Sequence, residues 1–110
     1  MALSAAAAAA TKGLAEVDAE IDSVILSNRS ACHLTLGHAK EALADAQRAA
    51  KVRPDWPKAH WRVGRALEAM GDAEAAARAY GCGMEFAEGD KKKAEFAAAV
   101  ERCEGRARRK

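Results

Sequence analysis

An internal repeat constrains the fold of this chain more than any other feature of its sequence. Between residues 23 and 90, small and apolar residues recur at an offset of 34 positions. A repeat of this length is one supersecondary unit that cannot bury its apolar face alone, so the sequence predicts stacked units. The residues that recur pair as follows: Ser30 with Gly64, Leu36 with Met70, Gly37 with Gly71, Ala39 with Ala73, Ala42 with Ala76, Ala49 with Gly83, and Val52 with Phe86.

Each unit is predicted to be a helical hairpin. Apolar residues at helical spacing continue up to a glycine, and a second stretch of similar length follows it. In the first unit, Ser23 or Asp22 is the expected cap and Gly37 the expected end of the first helix. The second helix is expected from about residue 40 to residue 52, closed by Pro54.

The second unit follows the same plan. Its first helix is expected from Asp55 or Trp56 to residue 70, a turn and cap at residues 71–72, and its second helix over residues 73–85. Gly81 and Gly83 lie inside that second helix, where glycine costs up to about 1 kcal/mol relative to alanine. A helix tolerates this mainly where a neighbour packs close, so we expect such a neighbour at both positions.

The two ends of the chain are predicted to be helical as well. Residues 1–14 contain six consecutive alanines and lie where the second helix of an incomplete preceding unit belongs, followed by an acidic connector over residues 16–22. A transit peptide is the competing interpretation of this segment. Residues 90–109 predict a capping helix with Phe96, Val100 and Cys103 on one face. Its basic end is either a solvated helix terminus or a patch for nucleic acid or localisation.

Composition excludes several functions. The 110 residues allow one domain, and a net charge of +2 is too small to indicate nucleic acid as a partner. No apolar run is long enough to cross a membrane. The three histidines (His33, His38, His60) and three cysteines (Cys32, Cys82, Cys103) form no catalytic or metal-binding pattern, so we expect neither an enzyme nor a cofactor. Cys32 and Cys82 are predicted to be buried reduced thiols, which favours a reducing compartment over metal or redox chemistry.

The repeat resembles the tetratricopeptide repeat (TPR) family position by position. Positions are counted from Ser23 in the first unit and from Pro57 in the second. The small eighth position then holds Ser30 and Gly64, the fifteenth Gly37 and Gly71, and the twentieth Ala42 and Ala76. The aromatic twenty-fourth position is kept as Tyr80 but is Ala46 in the first unit. The stretch from residue 24 to residue 67 resembles a narrower group, the carboxylate-clamp modules of heat-shock-chaperone cochaperones, which include the Hsp-organising protein, TPR immunophilins and the TPR-linked protein phosphatase.

This resemblance implies an all-α fold, a right-handed superhelix of TPR hairpins. It implies about two and a half repeats plus a C-terminal capping helix in a single domain over residues 1–110, divided into 1–22, 23–56, 57–90 and 91–110. It also implies a cytoplasmic protein that binds the acidic C-terminal Glu-Glu-Val-Asp peptide of a heat-shock chaperone of the 70 or 90 kDa class, with neither nucleic acid nor membrane as a partner.

The candidate binding residues are Asn28, Lys58, Arg62 and Arg65. The three cations stand at i, i+4 and i+7, so they share one helix face, which spacing alone leaves open as an anion site or an ordinary solvated surface. The resemblance matches Asn28, Lys58 and Arg62 to the carboxylate clamp. The clamp's further Lys and Asn, from the first helix of a preceding repeat, have no counterpart here.

Three hypotheses for function follow. The first is a cochaperone-type module that binds a chaperone tail, the second a scaffold TPR protein with another partner or with itself, and the third the adaptor part of a larger enzyme. Because the first repeat is incomplete, we also expect partial exposure of Ile21, Ile25 and Leu26. The consequence is either a low melting temperature with a frayed N-terminus or self-association through this edge.

Overall fold

The computed structural model describes residues 20–109, and these residues form five helices and no strand. The helices, numbered in chain order, are α1 (residues 20–35), α2 (Ala39–Val52), α3 (Pro57–Ala69), α4 (Ala73–Phe86) and α5 (Asp90–Arg108). The prediction of an all-α chain of helical hairpins is confirmed. The alanine-rich helix and the first part of the connector lie outside the described residues.

The turns inside the two hairpins have the same backbone. Gly37 follows α1 and Gly71 follows α3, both at a φ of 82°. In each turn the glycine amide donates to the carbonyl three residues back, and the next amide donates to the carbonyl five residues back, at 2.8 to 3.0 Å. This Schellman arrangement places a residue at positive φ, where glycine has no Cβ to strain. The 34-residue repeat of the sequence is therefore also a repeat of the backbone.

The helix starts differ from one another. Asp72 caps α4, because its Oδ1 accepts a hydrogen bond from the amide of Ala75 at 3.1 Å. At the start of α3, Trp56 supplies no side-chain cap and Pro57 occupies the first turn, as its fixed φ favours. The expected cap of α1 was wrong, because the chain is already helical at residue 20. The Ser23 hydroxyl instead donates to the carbonyl of Glu20 at 2.9 Å, inside the helix.

Two apolar clusters hold the helices together. The smaller one joins α1, α2 and α3 through Leu26, Ala49 and Ala59. The larger one joins α3, α4 and α5, and its buried members are Ala76, Ala77, Tyr80, Ala87, Phe96, Ala99 and Cys103. Trp61 packs edge-on against two of these rings, with ring centroids 5.0 Å from Tyr80 and 5.2 Å from Phe96. Most aromatic packing, and the burial it provides, therefore lies in the C-terminal half.

Glycine allows two close contacts in this half. A Cβ on Gly64 would lie 2.6 Å from the Tyr80 ring, and one on Gly83 would overlap the ring of Phe96. The expectation of a close neighbour is thus confirmed for Gly83. It was wrong for Gly81, where a Cβ would meet no atom within 4 Å, because Gly81 borders an open cavity between α4 and α5 instead of a packed contact.

Helix α5 packs on α4, which also packs on α3. Its predicted apolar face is confirmed, since Phe96 and Cys103 are buried and Val100 is half-buried. The helix begins about one repeat length after α3, and Arg102 of α5 contacts Glu68 of α3 across a separation of 34 residues. Helix α5 therefore occupies the place that the first helix of a further hairpin takes.

Two expectations about burial need correction. Cys32 and Cys82 are exposed, because each lies on a helix face that no described residue covers; Cys103 is the buried thiol. Ile21 and Ile25 are 51% and 54% exposed, as expected, but Leu26 is buried in the smaller cluster. Within residues 20–109, no helix combines the length and the apolar character that crossing a bilayer requires.

Candidate functional site

Helix α3 carries the three predicted cations along one face. Lys58 and Arg65 are exposed, and Arg62 is half-buried. At about 1.5 Å of rise per residue, the helix separates Lys58 from Arg65 by about 10 Å. Their side chains therefore form a short row of positive charge along the helix that lies between α1 and α5.

Arg62 is held against the preceding hairpin. Its Nε donates a hydrogen bond to Oγ of Ser27 on α1 at 3.2 Å, and Ser27 is fully buried. Asn28 follows Ser27 in the chain and is exposed. The structure thus brings Arg62 to the part of α1 that carries Asn28. Within residues 20–109, the Asn28 side chain forms no hydrogen bond with any of the three cations.

Lys58 lies at the other end of α3, between two open cavities of 480 and 250 Å³. Both cavities are lined by Pro57, Lys58 and Lys92, so the N-terminal turns of α3 and α5 face each other here. Lys92 was not predicted to lie at this site. The run of lysines over residues 91–93 is visible in the sequence, but its placement depends on how α5 packs.

Arg65 lines a third cavity, of 380 Å³, between the C-terminal halves of α3 and α5. Its other lining residues are Leu34, Glu68, Ala69, Arg102 and Arg106. Arg102 donates to Glu68 twice, from Nη2 at 2.7 Å and from Nε at 3.2 Å, and Arg106 donates from Nη1 at 3.3 Å. Neither arginine of α5 was predicted to lie near the α3 cations.

Glu68 joins three helices. Besides the two arginines of α5, the hydroxyl of Tyr80 on α4 donates to its Oε1 at 2.5 Å. Burial alone raises the pKa of Glu68, but hydrogen bonds from Arg102 and Tyr80 outweigh it and hold the pKa below its ordinary value. Burial, reinforced by the bond to Glu68, raises the pKa of Tyr80. The carboxylate is therefore charged and the phenol neutral at neutral pH.

A second ion pair fixes the first hairpin. Arg29 of α1 donates to both carboxylate oxygens of Asp45 on α2, at 2.7 and 2.8 Å, and Nε2 of His33 lies 3.6 Å from the same carboxylate. The hydrogen bond from Arg29 lowers the pKa of Asp45, although burial opposes this. Arg29 therefore already has a carboxylate partner inside the first hairpin.

The α3 cations differ from these paired arginines. Within the described part of the chain, Lys58, Arg62 and Arg65 form no salt bridge with a carboxylate. A cation without an internal carboxylate partner is able to bind an external anion. The chemistry that this face offers is therefore anion binding; residues 20–109 contain no group of three or more side chains placed to hold a metal ion.

Comparison with known proteins gives one local similarity. No protein-family model matches the chain. A stretch of 35 residues is 51% identical to the "Hsp70-Hsp90 organizing protein 2" of Arabidopsis thaliana. The match covers 32% of this chain and 6% of that protein, so its length is about that of one 34-residue repeat and the chain spans only a small part of the relative.

Proposed function

We propose that this chain is a cochaperone-type protein-interaction module whose α1–α3–α5 face binds the acidic C-terminal tail of a heat-shock chaperone. The observation that carries the proposal is the row of cations without carboxylate partners, Lys58, Arg62 and Arg65, on α3. Arg29 of α1 and the α5 arginines that contact Glu68 already have carboxylate partners in the fold. Within residues 20–109 the row on α3 has no carboxylate partner, and its charges are therefore available to an anionic ligand.

The four candidate residues take different roles in this proposal. Arg62 is oriented by Ser27 through its Nε, which leaves its terminal nitrogens for a ligand carboxylate. Lys58 adds a flexible charge, Arg65 extends the row, and the amide of Asn28 donates a hydrogen bond without adding charge. Each charge-assisted hydrogen bond contributes about 1.5 to 3 kcal/mol, so two or three of them supply useful affinity.

The similar protein supports a chaperone as the partner. By its name, that protein organises Hsp70 and Hsp90, and the 51% identity over 35 residues extends the analogy to this chain. The proposal includes a cytosolic location, where such a tail would be met, and it assigns the chain binding rather than catalysis.

Self-association is the second candidate, and a specific feature of α1 favours it. Ile21 and Ile25 stand one helical turn apart, and both are more than half exposed. Contiguous exposed apolar patches are typical of interaction surfaces, and Val24, which is 40% exposed, lies beside these two residues. Sedimentation at two protein concentrations tests this candidate, because a dimer that forms through α1 dissociates on dilution.

Calorimetric titration with the peptide Met-Glu-Glu-Val-Asp tests the proposed function. The control is the same peptide with an amidated C-terminus. We expect saturable binding of the free acid, weaker binding of the amide, and weaker binding of both in high salt, because an open site is screened. Equal binding of acid and amide would contradict recognition of the terminal carboxylate.

A further inference from the structure

The cavity beside Arg65 brings three guanidinium groups together from two helices. Arg65 belongs to α3, whereas Arg102 and Arg106 belong to α5 and lie more than thirty residues further along the chain. One carboxylate, that of Glu68, lines the same cavity. Its four charged groups therefore carry a net charge of +2.

Glu68 does not neutralise this cluster. Its side chain is only 12% exposed and accepts a hydrogen bond from the Tyr80 hydroxyl, so it anchors the two α5 arginines from inside the fold. Arg102 and Arg106 bind it but remain 42% and 57% exposed. A guanidinium has five N–H donors, and Arg106 uses one of them here, at 3.3 Å. Donors on both arginines remain for a ligand.

Arg65 completes the arrangement. Among the described residues it has no hydrogen-bond or salt-bridge partner, and it lines the cavity together with the two anchored arginines. Because Glu68 fixes the α5 arginines in advance, an anion that enters the cavity meets oriented donors rather than mobile side chains. Leu34 of α1 and Ala69 of α3 give the cavity an apolar edge.

We propose that this cavity, lined by Arg65, Arg102 and Arg106, is a second anion subsite that binds an acidic side chain upstream in the same peptide whose terminal carboxylates bind at Lys58 and Arg62. The inference rests on the proposed function. It adds to it a requirement on the ligand, namely negative charge at a set distance from the C-terminus.

Helix geometry sets that distance. The cavity extends from Arg65 to Ala69, which lie seven and eleven residues beyond Lys58 along α3. At about 1.5 Å per residue this is about 10 to 16 Å. An extended peptide advances about 3.3 Å per residue, so its acidic side chain stands about three to five residues from the group that binds at Lys58.

Two peptides of equal length test the subsite. Both end in Glu-Glu-Val-Asp. One carries Glu and the other Gln at the two positions directly before this tetrapeptide, which lie four and five residues from the terminal Asp. We expect the wild-type protein to bind the Glu peptide about three- to tenfold more tightly at low ionic strength, a range that exposed charge pairs can supply. Arg65→Gln and Arg106→Gln should each reduce this preference toward unity.

Arg108→Gln is the matched control, because Arg108 is exposed on the same helix and does not line the cavity. It should keep the preference for Glu. Loss of the preference in Arg108→Gln as well would overturn the subsite in favour of general charge attraction, as would the absence of any preference in the wild type. Arg65 has no hydrogen-bond or ion-pair partner among residues 20–109, so its variant keeps the test valid even if Arg106→Gln loosens α5.

The same titrations separate the two proposals. Arg62→Ala should weaken both peptides by a similar factor and leave their ratio unchanged if the main site is correct. Unchanged affinity in Arg62→Ala together with a lost preference in Arg106→Gln would retain the anion subsite and reject the proposed main site. Millimolar inorganic phosphate should weaken binding of the Glu peptide and leave the Gln peptide unaffected, because only the Glu peptide places an anion in the cavity.

Discussion

The ring of Tyr80 lies directly against Gly64, so that a Cβ at this position would meet the ring at 2.6 Å. In the first hairpin the corresponding pair is Ser30 and Ala46, one repeat earlier. Ser30 there donates to the carbonyl of Ala42 at 2.7 Å. The second hairpin thus exchanges a hydrogen bond for a large buried ring, and Gly64 provides the space.

Gly64→Ala should destabilise the protein. The new methyl group overlaps a fully buried ring, and overpacking of this kind costs about 1 to 3 kcal/mol. Urea denaturation monitored by circular dichroism measures the change. The matched control is Gly81→Ala in α4, where nothing lies within 4 Å and helix propensity favours alanine by up to about 1 kcal/mol. Equal stability of the two variants would contradict this packing of Tyr80 on Gly64.

Acid should weaken the fold through two carboxylates. The pKa values of Asp45 and Glu68 are lowered in the folded chain, chiefly by the hydrogen bonds from Arg29 and from Arg102 that oppose burial. Their contribution is therefore present above the ordinary pKa of a carboxyl group and is lost as the pH falls through the lowered value.

Free energies of unfolding measured between about pH 7 and pH 3 check this expectation, since that range spans the ordinary pKa of a carboxyl group. The wild type should lose stability across the range, and Asp45→Asn should lose less because it lacks one of the two carboxylates. Asp55→Asn is the control, since Asp55 is exposed and its side chain has no hydrogen bond or ion pair within residues 20–109. A wild-type stability that does not change with pH would show that these ion pairs do not support the fold.

The three cysteines should fall into two groups by the rate at which their thiols react. Cys32 and Cys82 are exposed and should react quickly with a thiol reagent in the native protein. Cys103 is buried, and burial also raises the pKa of its thiol, so it should react only after unfolding. Mass spectrometry of the labelled protein identifies the modified residues. Rapid labelling of Cys103 would mean that α5 does not pack on α4 through this face.

Much of the fold was predictable because its signals are local. Three local features were predicted correctly: the turns at Gly37 and Gly71 and the cap at Asp72. Each depends only on residues that lie close to it in the sequence. The end of α3 fell at Ala69, one residue before the predicted Met70. Backbone chemistry at glycine, proline and aspartate is enough for such predictions.

Apart from the cap of α1, the errors concern the orientation of helix faces. Cys32 and Cys82 stand on helix faces beside small residues, which suggested burial, but both thiols are exposed. A glycine inside a helix suggested a close neighbour at Gly81, but Gly81 borders an open cavity. The arginines around Glu68 were missed for a related reason. They lie 34 and 38 residues beyond Glu68, and only the packing of α5 along α3 brings them together.

Asn28 provides a sharp test of the main site without changing its cations. Asn28→Asp keeps the size of the side chain but places a negative charge against an acidic ligand, whereas Asn28→Ala only removes a donor. Peptide affinity should fall further in the Asp variant than in the Ala variant. Because Asn28 is exposed, both variants should unfold at nearly the wild-type temperature. If the Asp variant binds as well as wild type, Asn28 does not face the ligand.

The most direct measurement of the central claim is calorimetric titration of the Met-Glu-Glu-Val-Asp peptide into the wild type, Lys58→Ala, Arg62→Ala and Arg78→Ala. Arg78 is an exposed cation on α4, in a cavity with Gly81 and Val100 rather than with the α3 row, and so controls for net charge. We predict that Arg62→Ala loses about 1.5 to 3 kcal/mol of binding free energy, that Lys58→Ala also loses affinity, and that Arg78→Ala is nearly unchanged. Wild-type affinity in both α3 variants would contradict the claim.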